Sequence, residues 1–345
     1  MIDKYNEIIL KMLLKEARTP IKEIAKISGL SSPSVYLRIN HLRKSGVING
    51  SITQIDPSKL GYNCCGFLEI QTRSENENEI RKYLRNKRCT IYDYEHFGKS
   101  NICAHFALPS LDNLAKLIET IRQQPLVRNV KPTIWNNLTQ LDHSQNLVFS
   151  TIENSKRINS NINSSKKIGS NNKEKNNEKK RKWLNSFRLG RTDIEIAKIL
   201  LNDAKIPFSN IAKKLKLSPN SVIRSYRKLK KEEILSYSTI TINLEKIGYK
   251  AMAIFYLKAS QISSGSKLYN KFIQTPNVIV AIKIIGPYDV VINVPIVTFS
   301  ELLELKEKIL KAPEIEQMSL EIHGPVKKWP LNVFAALLDK YQIPT

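Results

Sequence analysis

The hydrophobic positions of this chain fall into two copies of one pattern. From Asp3 to Ala17 they recur at the spacing of an amphipathic helix, with Ile8, Ile9, Met12 and Leu13 on the side predicted to be buried. A short second helix is predicted on Ile21, Ile24, Ala25 and Ile27. It ends at Gly29, a residue tolerant of positive φ, and Ser31 then caps a third helix with Val35, Ile39 and Leu42 on one side. Val47 to Ile55 alternates like a pair of strands, and Asn49-Gly50 predicts a hairpin turn between them, a small wing ended by Asp56-Pro57.

Beyond Leu60 the period changes. Strand-like YNCCGFLEIQT leads to a polar helix around Asn78 to Asn86, then TIYDYEHF, a turn at Gly98, and NICAHFAL. The helix SLDNLAKLIETIRQQ and a strand from Val127 to Trp135 follow. The order β-α-β-β-α-β predicts a ferredoxin-like sandwich, an antiparallel sheet with both helices on one face.

Residues 20–62 then return, without a gap, as residues 207–249. Ile24, Ala25 and Lys26 fall on Ile211, Ala212 and Lys213, Leu30 and Ser31 on Leu217 and Ser218, and Gly61 and Tyr62 on Gly248 and Tyr249. One register held over so many positions marks a tandem duplication. A helix from Asp193 to Ala204 precedes the second copy, and the strands KAMAIFYLKA, VIVAIKII, DVVINVPI and EIEQMSLEIH continue it. The predicted class is α+β: two winged helix-turn-helix domains (1–59 and 189–246), each followed by a ferredoxin-like βαββαβ domain (60–142 and 247–323).

Two short helices joined by a tight turn expose the second helix for the DNA major groove. On the first such helix the outward side carries Pro33, Tyr36, Leu37, Asn40 and Lys44, with Ser32 and Ser34 in the first turn and Arg43 at the edge. On the second it carries Asn220, Arg224, Arg227 and Lys231, with Pro219 and Ser221 in the first turn and Lys228 and Lys230 flanking. Long cationic donors suit phosphates and guanine edges, and an amide suits adenine. The first head is blunter, with Tyr36 and Leu37 where the second has Ile223 and Arg224.

Charge supports that reading. The 345 residues carry a formal net charge of +24, an excess that points to a polyanion, with nucleic acid ahead of an anionic membrane surface. No apolar run approaches the roughly 20 residues of a spanning helix and no signal-peptide core follows Met1, so a cytoplasmic, nucleoid-associated protein is expected. Cys64, Cys65, Cys89 and Cys103 show no C-x-x-C spacing; adjacent Cys64 and Cys65 face opposite sides of a strand and read as core thiols. No P-loop, dinucleotide turn, nucleophile elbow or metal-ligand pair is present, so neither cofactor nor metal is expected.

Residues 143–188, dominated by Asn, Ser and Lys, read as a disordered basic linker in which Lys179 to Lys182 form a KKRK run. Such a tether spans on the order of 35 Å, enough for one half to fold back on the other. The tail, residues 324–345, contains Trp329 and an apolar helix-like NVFAALLDKY, predicted to pack.

IAK-x4-LS-x2-SV, then GVI and DPSKLGY in the first copy, and Gly286-Pro287-Tyr288-Asp289 in the second, resemble the leucine-responsive and asparagine-synthase-regulator (Lrp/AsnC) transcription factors. The resemblance covers about residues 3–140 and 190–323. It implies a DNA-binding regulator whose ferredoxin-like domains pair by their sheets and hold an amino acid or similar effector between them. The effector loops are then Gly98 to Asn101 and Gly286 to Asp289, with neutral Asn101 where the family loop has Asp. Family members carry one such unit per chain, so this chain is expected to form an intramolecular pseudo-dimer, with homo-oligomers open to it. Two other readings stay open: a non-specific architectural DNA-binding protein, and an enzyme on the same fold like the siroheme decarboxylases. Against the enzyme, His41, His96, His105, His143 and His323 are scattered and do not recur in matching loops.

Overall fold

A computed structural model of the protein describes residues 2–87, 89–95, 101–136, 142–149, 189–324 and 326–340. Gly98 and the KKRK run at 179–182 lie outside them, as does the linker from residue 150 to 188.

The first winged unit consists of α1 (Lys4–Lys15), α2 (Ile21–Ser28), α3 (Ser32–Lys44) and β1 (Ile48–Ile55). Asp3 caps α1 by accepting from the Asn6 amide at 2.7 Å, and Gly29 ends α2 at φ +71°. The side α1 buries is Ile9, Leu10, Leu13 and Leu14, whereas Ile8 and Met12 are half-buried. Ile27, placed by sequence on the inner side of α2, is 58% exposed. At about 100° per residue it stands about 60° from Ile24 and about 100° from Ser28, off the edge of the side those two turn inward.

The first ferredoxin-like unit follows as β2 (Cys64–Thr72), α4 (Glu77–Arg85), β3 (Thr90–Glu95), β4 (Ile102–Leu108), α5 (Leu111–Arg122) and β5 (Val127–Trp135). The second half repeats the plan with α6 (Arg191–Asn202), α7 (Phe208–Leu215), α8 (Pro219–Lys231) and β6 (Leu235–Ile242). It continues through β7 (Ala251–Ala259), α9 (Gly265–Phe272), β8 (Val280–Ile285), β9 (Val290–Ile296), α10 (Phe299–Leu310) and β10 (Ile315–His323).

The wing hairpin expected at Asn49-Gly50 does not form. A two-residue hairpin of that type needs positive φ at both residues, and neither has it. Asn49 instead sits at an irregularity in β1, which runs on as one strand and pairs antiparallel with β6, Ile52 opposite Thr239. Gly50 is required there by close approach, since a Cβ would stand 2.9 Å from Thr241 Oγ1. The wings of the two copies thus make one ribbon, and its ends are tied alike: the Asp56 amide donates to the Ile234 carbonyl at 3.1 Å, and the Asn243 amide to the Val47 carbonyl at 2.9 Å.

The two ferredoxin-like sheets join into one of eight strands, ordered β10-β7-β9-β8-β5-β2-β4-β3, with Ile134 opposite Ile285 at the seam. One face of each half packs on its own helices: Leu68, Ile70 and Phe106 on Ile80, Leu84 and Ile121, and Phe255 and Ile292 on Leu268, Phe272 and Leu302. The opposite faces meet each other. Cys65, Phe67, Cys103 and Trp135 share a core with Met252, Ile282, Ile284 and Val291, and the Phe67 and Tyr256 rings lie 6.3 Å apart. Cys64 and Cys65 accordingly enter different cores, the first against helices and the second between sheets, where burial pushes the Cys65 thiol up to about 12.

Seven residues expected in the linker, 143–149, are packed. Leu147 and Phe149 are buried, and Asn146 Nδ2 donates to the Ile273 and Val278 carbonyls at 2.8 and 3.1 Å. Two apolar side chains in a polar stretch are enough to dock it. The tail packs as well: Trp329, Phe334, Leu337 and Leu338 are buried, with α11 at Ala336–Lys340. It crosses the β1–β6 ribbon, where the Trp329 and Ile242 backbones exchange bonds of 2.7 and 2.9 Å and Gln54 donates to the Leu331 carbonyl at 2.8 Å.

Candidate nucleic-acid interface

The exposed helices α3 and α8 begin identically. Ser31 accepts from the Ser34 amide at 3.3 Å and Ser218 from the Ser221 amide at 3.1 Å, and in both copies the two hydroxyls are 2.8 Å apart. Ser34 and Ser221, named as DNA contacts from sequence, are therefore engaged in the caps, and Ser32 is half-buried beside its own. Val35, Ile39 and Leu42 are buried, as are Val222 and Leu229; Tyr226 is half-buried.

On α8, Pro219, Asn220, Arg224, Arg227 and Lys231 are exposed, and among the described residues neither the two arginines nor Lys231 enters an ion pair. Lys228 and Lys230 belong elsewhere. Lys228 Nζ donates to Asp193 at 2.6 Å, and the Ser225 hydroxyl donates to the same carboxylate at 2.5 Å. Burial pushes the Asp193 carboxyl up, but those donors outweigh it and hold it below the usual carboxylate range. Lys230 is folded back onto the Ser236 carbonyl at 3.1 Å, and burial lowers its pKa. Helical periodicity sets them at the two edges of that face, Lys228 about 40° from Arg224 and Lys230 about 60° from Arg227, where Lys228 is drawn to Asp193 of α6 and Lys230 to Ser236.

On α3, Pro33, Tyr36, Leu37, Arg43 and Lys44 are exposed and Asn40 is half-buried. Tyr36 and Leu37 are 53% and 67% exposed, so the centre of this head is apolar where that of α8 is cationic.

The two heads are fixed to each other. The Ala17 amide donates to the Ser238 carbonyl at 3.0 Å and, in the matching place, the Ala204 amide to the Ser51 carbonyl at 3.3 Å. Arg18 reaches across to the Ile206 carbonyl at 2.9 Å, with its guanidinium 4.6 Å from the Phe208 ring centre and 5.9 Å from that of Tyr226. Sequence reasoning passed over Arg18 and Lys205, although the repeat aligns them and both are basic.

The expected effector loops are also legible in part. Asn101 Oδ1 accepts from the Thr72 amide at 3.1 Å, and Asp289 Oδ2 from the Ala259 amide at 2.8 Å. These are the same position in the two repeats, and each side chain caps the end of the strand beside it. Gly286 does not adopt a positive φ, so the turn does not require glycine for that reason. The histidines are dispersed: His105 lies 5.4 Å from the Trp135 ring and burial lowers it to about 4, while buried His143 packs 6.5 Å from Tyr269. Among the described residues no helix is long and apolar enough to cross a membrane.

Residues 2–49 match the winged helix-turn-helix DNA-binding model and residues 189–230 the AsnC-type helix-turn-helix domain. The HTH-type transcriptional regulator LrpA of Pyrococcus abyssi is 41% identical over 118 residues, 34% of this chain and 84% of that protein. The regulatory protein AsnC of Haemophilus influenzae is 31% identical over 147 residues, 38% of this chain and 98% of that protein. The chain belongs to the Lrp/AsnC family of transcription regulators. An Lrp/AsnC unit spans little more than a third of it, in keeping with two such units in tandem. Over the whole length the fold is similar to the crystal structure of the siroheme decarboxylase NirDL, with a TM-score of 0.56, 14% identity and 98% of both chains covered. That likeness is one of fold.

Proposed function

We propose that this chain is a sequence-specific, double-stranded-DNA-binding regulator in which one molecule supplies both reading heads that other Lrp/AsnC members obtain from two subunits. The observation that carries this is the β1–β6 ribbon, which fixes α3 and α8 about one pseudo-twofold with the cationic face of α8 exposed. The second head supplies most of the affinity, and the first refines it through Tyr36 and Asn40. Catalysis is not part of this reading: His105 packs against Trp135 and His143 against Tyr269, and LrpA and AsnC are named as regulators. The protein works in the cytoplasm, on the nucleoid, as a monomeric pseudo-dimer able to assemble further.

Modulation by an amino acid belongs to the proposal at the Gly286–Asp289 loop. An effector ammonium would share the Asp289 carboxylate with the Ala259 amide, and Asn101 offers it no charge, so each chain holds one strong site at most.

Selection of bound duplexes from a random pool at fixed salt tests the reading. The expected product is two unequal half-sites in inverted order. Binding without enrichment, governed by salt alone, would instead indicate an architectural protein.

A further inference from the structure

Between the two reading heads the chain carries cations that neither helix accounts for. The loop at 16–18 and its repeat at 203–205 lie on the face of the ribbon that bears Ser51 and Ser238, opposite the face where Gln54 meets the tail. The first loop touches the reading helix of the other copy, and the second lies within electrostatic reach of α3. Arg18 stands over Tyr226 of α8, and Lys205 sits in the fields of Arg43, at the end of α3, and of Arg18.

The nearby carboxylates are already committed. Asp203 Oδ1 accepts from Ser51 Oγ at 2.7 Å and from the Lys205 amide at 3.0 Å; Glu16 Oε1 accepts from the Ser238 hydroxyl and, at 3.0 Å, from the Arg18 amide. Arg18 is held by the Ile206 carbonyl and the Phe208 ring. The half-buried Lys205 ammonium has no hydrogen-bond or ion-pair partner among the described residues, nor has the Arg43 guanidinium. Burial, then the two guanidinia, disfavour its charge, and the Asp203 and Glu16 carboxylates offset them only in part. A half-buried cation kept beside two others, with its carboxylates turned to capping, is a site completed by an anion.

We propose that this seam is a third DNA contact: Lys205 and Arg43, set in place by Arg18, take backbone phosphate of the segment lying between the two half-sites. The contact is assembled from both repeats and carries no base information, so it fixes half-site spacing rather than sequence. It rests on the DNA-binding reading above. The two pseudo-equivalent cations on the α8 side, Arg18 and Lys230, are bound to carbonyls, so the seam is one-sided and lies toward α3.

The experiment is affinity against salt for a duplex with both half-sites, using the full chain, Lys205→Gln and Lys205→Arg. Lys205→Gln should flatten the log–log slope by about 0.9, one phosphate contact, and Lys205→Arg should restore it. On a duplex whose linkages between the half-sites are neutral methylphosphonates, wild type and Lys205→Gln should coincide. An unchanged slope for Lys205→Gln, or a difference that persists on the neutral linkages, overturns the seam contact. So does competition by inorganic phosphate at fixed ionic strength that acts only on protein carrying Lys205, because it marks a free-anion pocket. Arg224→Ala, measured in parallel, separates the two proposals: if it weakens binding while Lys205→Gln does nothing, DNA reading stands and the seam falls. A wild-type chain that binds no duplex removes both.

Discussion

Lys228 of the second reading helix donates to Asp193 of α6 at 2.6 Å, and the buried Ser225 hydroxyl donates to the same carboxylate. A charge that sequence periodicity assigns to the DNA face thus serves to seat that helix on its neighbour. Asp193 also accepts from the Gly190 amide at 3.3 Å, so one carboxylate caps α6 and anchors α8. In the first copy the matching residue is Asn6, and Arg38 spans from it to Asp3 at 2.6 Å on the surface.

Asp193→Ala removes the acceptor of the buried Ser225 hydroxyl and the ion pair to Lys228, a loss of about 1–3 kcal/mol of stability. Asp3→Ala, which breaks an exposed pair, should cost less than about 1 kcal/mol. Because the Asp193 carboxyl lies below its usual range, its contribution is present above the unfolded value of 3.8 and fades as pH falls through the depressed one. Denaturant melts of the two variants at neutral and acid pH check this; equal losses at neutral pH would contradict it.

DNA affinity should depend on α8 more than on α3. Arg224 and Arg227 are exposed and outside any ion pair among the described residues, so the double alanine variant should flatten the salt slope by roughly 2 if both touch backbone. If either grips a guanine edge, its loss costs about 1–3 kcal/mol at the selected site and little on random DNA. Lys44→Ala should flatten the slope by about 0.9 at most. A larger loss from Lys44→Ala than from the α8 pair would reverse the assignment.

The duplication, both caps and the β-α-β-β-α-β order were legible in the sequence because each rests on local chemistry: Ser31 and Ser218 as N-caps, Gly29 at positive φ, strand alternation at period 2. What failed depended on partners far away in the chain. Asn49-Gly50 carries a hairpin signal, but strand β6 lies 187 residues on from the first copy's wing and offers a full ladder instead of a two-residue turn. Lys228 looks like a reading residue until α6 is in place; Lys230 has a nearer partner, folding back on Ser236 only once β6 has formed. Leu147 and Phe149 were lost in an average over a polar segment, although two apolar side chains sufficed to dock it.

The loop at Asp289 offers a clean separation of structure from ligand chemistry. Asn101 performs the same strand-end cap in the first copy with a neutral oxygen, so Asp289→Asn should leave the thermal midpoint nearly unchanged. Asp289→Ala should lower it, since the Ala259 amide loses its acceptor. Any amino acid bound through its ammonium in calorimetry should weaken with both variants. Binding that survives Asp289→Asn would take the carboxylate out of the effector site.

The last prediction concerns Asp142, where three parts of the molecule meet. Its carboxylate accepts from Ser144 Oγ and, at 3.1 Å, from the Tyr237 hydroxyl on β6; Ser144 Oγ in turn accepts from Trp329 Nε1 of the tail at 2.8 Å. Its backbone bridges to Val280 of β8. Ribbon, ferredoxin-like sheet and tail are joined at this one residue, and among the described residues no cation donates to its carboxylate. Burial therefore dominates over the hydrogen bonds and pushes the carboxyl up to about 6, against 3.8 unfolded. A folded pKa above the unfolded one means that the group's contribution is fully present below 3.8 and is lost as pH rises through about 6. Asparagine keeps one oxygen for the Ser144 hydroxyl, turns an amide donor toward the Tyr237 oxygen, and never ionises. The stability difference between Asp142→Asn and wild type should therefore shift in favour of the variant between pH 4 and pH 7, on the order of 1.4 kcal/mol for each pKa unit of displacement. Intrinsic tryptophan fluorescence against denaturant, at each pH, reads the global transition, with Trp135 and Trp329 both in the packed core. A difference that stays constant across that interval would show that Asp142 is ionised in the fold with no penalty.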